Sequence, residues 1–202
     1  METPRQAVRY GAILADPPWQ FPTYSAKGMG RSPDAHYDTM PLDRIATLPV
    51  GSWAASDCVL FLWVTNPLLP EGLRVMSEWR FTFKTVGFTW VKTTKDGVSF
   101  PIGTGYWTRA NPELCLLGTR GSPKRLSAAV RNLIIAPRRE HSVKSDEAYE
   151  RVEQPVEGPY LALFARARRE GWDYALSPEL ETGPGKRRWR SDRGPVANLP
   201  IS

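Results

Sequence analysis

Apolar residues gather along this chain in runs of consecutive positions, with charged residues mostly between them. Consecutive apolar positions, in contrast to strict alternation, predict strands that are buried on both faces, as in a mostly parallel sheet. The segment FKTVGFTWVKTT, at 83–94, alternates more and predicts a further strand. The five consecutive runs are RYGAILAD, CVLFLWVTN, ELCLLGTRG, RNLIIAPRR and GPYLALFAR.

Three segments between these runs have the spacing of helices. MPLDRIATLPV, at 40–50, has Pro41 near its first turn, where a missing N–H is tolerated. NPLLPEGLRVMSEW, at 66–79, repeats apolar residues every three or four positions, and SVKSDEAYERVEQPV, at 142–156, does the same. Strands that alternate with helices predict an α/β fold of three layers, with functional loops at the carboxyl ends of the strands.

Two long stretches predict loops, and the end of the chain has its own composition. Residues 22–36 and 93–112 are rich in Gly, Ser, Thr and Pro, and loops this long in a compact domain are often functional. Residues 178–202 lack periodicity and contain the cluster KRRWR. We therefore expect one domain at 1–177, followed by a flexible basic tail that can contact phosphates.

Composition narrows the class of protein. The chain has 202 residues, a net charge of +6 and a pI of about 9.5, which favours an anionic partner such as nucleic acid. Its two cysteines, Cys58 and Cys115, begin apolar runs and are expected to be buried free thiols. No His or Cys pair has zinc-ligand spacing. Without a signal peptide or a span of about 20 apolar residues, we expect a cytoplasmic protein with no membrane segment.

The stretch LADPPWQ ends the first predicted strand with an acid, two prolines and a tryptophan. Prolines stop a strand and stiffen the backbone, so the carbonyl of Pro17 becomes a fixed acceptor beside the carboxylate of Asp16. Together they can hold one planar NH2 group, while Trp19 stacks on the attached ring. This arrangement is suited to the attack of a nucleobase amine on the methyl group of S-adenosylmethionine. The plain alternative is an acidic Pro-Pro turn.

Further motifs, in order and spacing, cover about residues 10–175 and extend this interpretation. They are ADPPW, HYDTM, LFLWVTN, GFTWVKT, GTGYWTRANPELCLLGTRG, IIAPRREHSVKSDEAYERVE and YLALFARARREGWD. With them the chain resembles the MT-A70 family of adenine-N6 methyltransferases. The resemblance implies a Rossmann-like fold of three layers, whose mostly parallel sheet contains one antiparallel strand near an edge. It also implies S-adenosylmethionine as methyl donor and the exocyclic amine of adenine in nucleic acid as acceptor.

The resemblance also assigns residues to roles, motif by motif. The implied catalytic set is Asp16, Pro17, Pro18 and Trp19. The implied cofactor-binding residues are Asp16, Arg120, Leu163, Phe164, Arg166, Arg168 and Ser177, and Arg120 is expected to reach the methionine carboxylate. The implied acceptor-side residues are Tyr37, Lys92 and Glu113. Lys27, Arg31 and Arg109, in the two long loops, are suited to phosphate contacts in the substrate.

The chain departs from the family pattern in two places. Ser145 replaces the proline of the usual HSxKPDE motif, and serine can cap the following helix in its place. Leu176 and Ser177 replace a small-plus-amide pair whose asparagine helps to hold the ribose hydroxyls. Because serine is shorter, Ser177 is expected to fill that role only in part.

The sequence leaves several functions open. The leading hypothesis is adenine-N6 methylation of DNA, with the base removed from its stack or already single-stranded. RNA as substrate, cytosine N4 as acceptor and a non-catalytic nucleic-acid-binding subunit are the alternatives. A partner subunit is compatible with the sequence and is not required by it.

Overall fold

The computed structural model describes residues 8–20, 39–103, 105, 107–138 and 144–177. Its elements are, in chain order, β1 (Tyr10–Ala15), α1 (Leu42–Ala46), α2 (Val50–Trp53), β2 (Ala54–Val64), a 3-10 turn (Asn66–Leu68), α3 (Leu69–Glu78), β3 (Thr82–Thr93), β4 (Glu113–Arg120), β5 (Leu133–Pro137), α4 (Asp146–Glu153), β6 (Tyr160–Leu163) and β7 (Trp172–Ala175). The expected basic tail lies outside the described residues.

The seven strands form one sheet in the order β5-β3-β4-β2-β1-β6-β7. Strand β4 runs antiparallel to both of its neighbours, β2 and β3, and every other pair in the sheet is parallel. Counted from the edge strand β5, the antiparallel strand β4 is therefore the third strand of the sheet. This topology confirms the predicted α/β fold, a Rossmann-like methyltransferase fold with a mostly parallel sheet and one strand reversed.

Helices cover both faces of the sheet, which explains the consecutive apolar runs. Side chains of α1 and α3 join one core cluster, and Ile45, Val75 and Met76 in that cluster are fully buried. Helix α4 places Ala148 and Val152 in the second cluster, on the other face. Burial of a side chain such as Val or Met stabilises the fold by about 1.5–3 kcal/mol.

Close packing between β4 and α3 depends on a glycine. A Cβ atom added at Gly118 would lie 2.6 Å from the Sδ atom of Met76. Because real Cβ atoms do not approach sulfur so closely, Gly118 leaves the space that Met76 fills.

Both cysteines, Cys115 on β4 and Cys58 on β2, are fully buried, and both are free thiols as expected. Burial raises the pKa of Cys58 to about 12.

The six predicted strands and the three predicted helices are confirmed, with shifts at their ends. Strand β2 begins at Ala54, before the apolar run that predicted it. Strand β7 was not predicted, because its four residues, WDYA, are too few to show a period. The short helix α2 was also missed. In the described residues, no helix is both long and apolar enough to cross a membrane.

Candidate active site

The candidate site lies where β1, β2 and β3 end and where β4 begins. Asp16 directly follows β1, whose last residue, Ala15, is paired with Leu62 of β2. Because β4 is reversed, its first residue, Glu113, meets the carboxyl end of β3, opposite Trp90. The reversed strand thus brings a second carboxylate to the edge of the sheet that holds Asp16.

Four side chains at this edge form a continuous chain of ion pairs. The Nζ atom of Lys144 lies 2.9 Å from Oδ1 of Asp16 and 3.1 Å from Oε2 of Glu113. The other oxygen of Glu113 accepts a hydrogen bond from the ammonium group of Lys92. Two acids and two lysines therefore alternate, and the formal charge of the group is zero.

Burial makes these ion pairs strong. The side chains are between 10% and 26% exposed, so water screens them only in part. Burial by itself would raise the pKa of Glu113, but the charges of Lys144 and Lys92 outweigh it and lower that pKa to about 2. Burial by itself would lower the pKa of Lys144, and the carboxylates of Asp16 and Glu113 raise it above its ordinary value. Glu113 is consequently ionised and Lys144 protonated at neutral pH.

Two tryptophans support the lysines from beneath. The ammonium group of Lys144 lies 5.4 Å from the centre of the Trp63 ring, and that of Lys92 lies 5.3 Å from the Trp90 ring. These distances are within the range of cation–π attraction. The two indoles pack edge to face, with centroids 6.4 Å apart, so they are fixed relative to each other.

The Pro-Pro turn is tied to its surroundings by hydrogen bonds. The carbonyl oxygen of Pro17 accepts from the backbone N–H of Trp19 at 2.8 Å, and that of Pro18 accepts from Met40 at 2.7 Å. The indole N–H of Trp19 donates to the carbonyl of Trp63 at 2.9 Å. A carbonyl oxygen has two lone pairs, so the Pro17 oxygen retains one acceptor position.

The structure changes the interpretation of Trp19. The sequence predicted that its ring stacks on a substrate base, but the ring is a member of the hydrophobic core and is only 6% exposed. In this structure Trp19 anchors the turn to β2, and little of its surface is open to a base.

A narrow cleft begins at Asp16 and continues along the turn after β6. Leu163, Phe164, Arg166 and Arg168 line it, and their contact with the cofactor stays a prediction. Phe164 has a φ of 61°, in the left-handed region, where β6 turns over the cleft. The remaining lining residues are Leu14, Asp16, Trp63, Lys144, Asp146, Tyr149, Ala165, Ala167 and Arg169.

Two of the implied cofactor-binding residues do not reach this cleft. Arg120 is the last residue of β4 and is paired with Cys58, at the far edge of the sheet, where its guanidinium donates to the carbonyl of Gly51. A strand of eight residues spans about 25 Å. Because Glu113 begins this strand at the site, Arg120 lies too far away, and its predicted contact with the cofactor carboxylate is wrong for this structure.

Ser177 also has a different role from the expected ribose contact. It is 2% exposed, and its hydroxyl accepts a hydrogen bond from the N–H of Ala165 at 2.9 Å and donates to the carbonyl of Ala175 at 3.1 Å. Both bonds are internal, so Ser177 clamps the turn after β6 to the end of β7. The serine supports the wall of the cleft from behind and does not line it.

The remaining predicted residues fall into two groups. Lys92 and Glu113 are brought together in the ion-pair chain, and Arg109 is exposed in the segment between β3 and β4. Lys27, Arg31 and Tyr37 lie outside the described residues.

Lys144 is the residue that the sequence interpretation missed. Its side chain joins Asp16 to Glu113, although all three lie far apart in the sequence. One signal was present: Lys144 directly precedes Ser145, whose hydroxyl accepts from the N–H of Glu147 and caps α4. A residue just before a capped helix at the carboxyl edge of a parallel sheet is in the usual place for a functional side chain.

The reversed strand in an otherwise parallel sheet, with an acid–Pro–Pro–aromatic turn at the end of β1, defines the class as Rossmann-like methyltransferases. Comparison with known families makes the assignment particular. The MT-A70 family profile matches residues 10–175, and the chain belongs to this family.

Individual relatives fall into two groups by how much of them the chain covers. The chain is 28% identical to the type II methyltransferase M.MunI of Mycoplasma sp. over 183 residues, which are 82% of this chain and 76% of that protein. It is 32% identical over 167 residues to an N(6)-adenosine-methyltransferase MT-A70-like protein of Arabidopsis thaliana, covering 23% of it. It is 28% identical over 161 residues to the human N(6)-adenosine-methyltransferase catalytic subunit METTL3, covering 26% of it.

Proposed function

We propose that this protein transfers a methyl group from S-adenosylmethionine to the exocyclic N6 amine of adenine in DNA. The observation that carries the proposal is the position of the Asp16 carboxylate. It is held by Lys144 at 2.9 Å, it lines the cleft, and the stiff Pro17 follows it directly in the sequence. Membership of the MT-A70 family supports the same reaction.

The chain's own residues explain how an adenine amine would be held. Lys144 pairs with Oδ1 of Asp16, so we assign the second carboxylate oxygen to the substrate. That oxygen and the free lone pair of the Pro17 carbonyl can accept the two N–H bonds of one NH2 group. The amine lone pair is then directed away from both acceptors. The positive charge that develops on the nitrogen is stabilised by the carboxylate of Asp16, which is also in reach of the released proton.

The cleft has the chemistry that S-adenosylmethionine needs. Asp16 and Asp146 supply carboxylates for cationic groups, and Arg166 and Arg168 supply guanidinium groups for a carboxylate. Trp63 lines the cleft too, and its Nε1–H has no hydrogen-bond partner in the described part of the chain. When bound, the cofactor supplies the methyl group that moves from sulfur to the amine nitrogen.

DNA is the proposed substrate because of the pattern of coverage among the relatives. The chain covers 76% of M.MunI, which is named a type II methyltransferase, but only 26% of human METTL3. RNA remains the second candidate, because proteins named N(6)-adenosine-methyltransferases match the same region at up to 32% identity.

The decisive experiment measures transfer of labelled methyl groups to methylation-free plasmid DNA and to total RNA, followed by mass analysis of the nucleosides. We expect N6-methyladenine in the DNA and a loss of at least about 10³-fold in the Asp16→Ala variant. Asp43→Asn is the matched control, since Asp43 is an exposed acid that pairs with Arg74 away from the site. N4-methylcytosine, methylation of RNA alone, or full activity of Asp16→Ala would overturn the proposal.

A further inference from the structure

The segment after β3 exposes several large apolar side chains. The exposed fractions are 76% for Val98, 60% for Phe100, 81% for Ile102 and 100% for Trp107. These side chains contribute almost nothing to the core, because burial is what makes an apolar group stabilising. A fully exposed tryptophan in the segment that leads into β4 and the candidate active site therefore indicates a binding role.

Two glycines make this segment unusually thin. A Cβ atom added at Gly103 would lie 2.1 Å from the carbonyl oxygen of Ala110, and one added at Gly105 would lie 1.9 Å from that of Thr108. The two backbone runs are thus in direct contact and leave no room for a side chain between them. We call the described residues 103, 105 and 107–110 the finger. Trp107 lies at its tip.

The finger is rooted in the candidate active site through Asn111. The side-chain amide of Asn111 donates to the carbonyls of Lys92 at 2.9 Å and Pro101 at 2.8 Å. Its oxygen accepts from the backbone N–H of Lys92, also at 2.9 Å. One side chain therefore joins both runs of the finger to the end of β3, and Glu113 follows two positions later. The root of the finger therefore lies beside Lys92, one member of the ion-pair chain.

The charges near the finger favour a polyanion over an apolar protein surface. Arg109 lies in the finger and Lys95 precedes it, both without a negative partner among the ion pairs of the described residues. The nearby acid, Asp96, is bound locally and accepts from the N–H of Val98 at 3.1 Å. Cations around an exposed aromatic ring are typical of surfaces that contact phosphates and stack on bases.

We propose that the finger enters the major groove of duplex DNA and that Trp107 inserts into the base stack beside the target adenine. The major groove of B-form DNA admits a two-stranded ribbon, and the finger is two backbones wide. An adenine that leaves its stack to reach Asp16 opens a gap, and an inserted ring compensates for the lost stacking. This inference rests on the proposed function and specifies its substrate as a duplex.

The first test compares substrates in which the target base is paired or free. Methylation is measured on methylation-free plasmid DNA, native or heat-denatured, for the wild type, Trp107→Ala and Trp107→Phe. We expect Trp107→Ala to lower the ratio of native to denatured turnover about tenfold, and Trp107→Phe to restore most of it. Phe83→Ala is the matched control, because Phe83 is an aromatic residue that is 43% exposed at the beginning of β3, at the other end of the strand from the finger. An unchanged ratio in Trp107→Ala overturns the inference.

The second test does not depend on methylation. Insertion into a base stack quenches indole fluorescence, so duplex DNA of mixed sequence should quench the wild type more than Trp107→Phe. A-form RNA duplexes, whose major groove is too narrow for side chains, should show no such difference. If DNA quenches the wild type and Trp107→Phe equally, the inference about the finger is overturned, even if the wild type methylates nothing. If DNA quenches the wild type more than Trp107→Phe but no methylation is found, only the proposed function is overturned. If Trp107→Ala changes the oligomeric state but leaves the ratio of native to denatured turnover unchanged, the finger makes contacts between protein chains, and the inference is also overturned.

Discussion

The two edges of the sheet hold their charges in opposite ways. At the carboxyl edge, Lys144 lies between Asp16 and Glu113, and its side chain is only 10% exposed. At the amino edge, a groove contains four arginines, and the pair formed there by Arg74 and Asp43 has side chains that are 53% and 82% exposed. Acidic and basic side chains are therefore paired and mostly buried at the carboxyl edge, whereas at the amino edge the paired side chains are exposed to solvent.

The largest difference between the edges should appear when one ion pair is broken at each. Lys144→Met leaves the partly buried carboxylate of Asp16 without its cation and Glu113 with only Lys92, and it should lower the free energy of unfolding by about 3 kcal/mol. Arg74→Met breaks an exposed pair and should cost less than about 1 kcal/mol. Urea denaturation at neutral pH measures both values. Equal losses would show that burial does not distinguish the two edges.

A pH series sharpens the comparison further. The pKa of Glu113 is lowered from 4.5 to about 2, so its ion pairs contribute full stability above about pH 4.5. That contribution, up to about 3 kcal/mol, is lost progressively as the pH falls from about 4.5 through 2, because over this range the unfolded state takes up the proton more readily than the folded state. The stability difference between the wild type and Glu113→Gln should therefore shrink between pH 6 and pH 3 in urea titrations. Asp43→Asn, in the exposed pair at the amino edge, is the matched control, and its effect should be smaller throughout, because an exposed pair contributes less than about 1 kcal/mol.

The smallest expected effect tests the placement of Arg120. Arg120→Ala removes a hydrogen bond to the Gly51 carbonyl and should cost about 1 kcal/mol of stability. Since the residue lies at the amino edge, the affinity for S-adenosylmethionine, measured by calorimetry, should change by less than about twofold. A tenfold or larger loss of affinity would place Arg120 at the cofactor and contradict the register of β4.

The error at Arg120 shows what the sequence can and cannot specify. Consecutive apolar residues were enough to locate β4 as a buried strand, because burial leaves a direct trace in composition. The apolar residues do not tell whether the first residue of β4 lies at the amino ends or at the carboxyl ends of the neighbouring strands. Glu113 and Arg120 were both placed near the site, whereas an extended strand must separate its two ends.

The ion-pair chain was predictable only in part for a related reason. Asp16 was found from the stiff turn that follows a strand, which is a local signal. The contact of Lys144 with Asp16 depends on the packing of α4 against the sheet, and no local pattern encodes it. Likewise, Trp19 and Ser177 carry chemistry suited to ligands, but the three-dimensional fold turns both side chains inward.

The reversed direction of β4 has a consequence for how such proteins can diversify. Parallel neighbours must be joined by a crossover, whose helix also packs against the core and so resists change. Strands β3 and β4 are antiparallel neighbours, and the connection between them stays at the carboxyl edge, outside the core. Asn111 fixes only its root. The described part of this connection can therefore change in sequence while the sheet and its packed core stay the same.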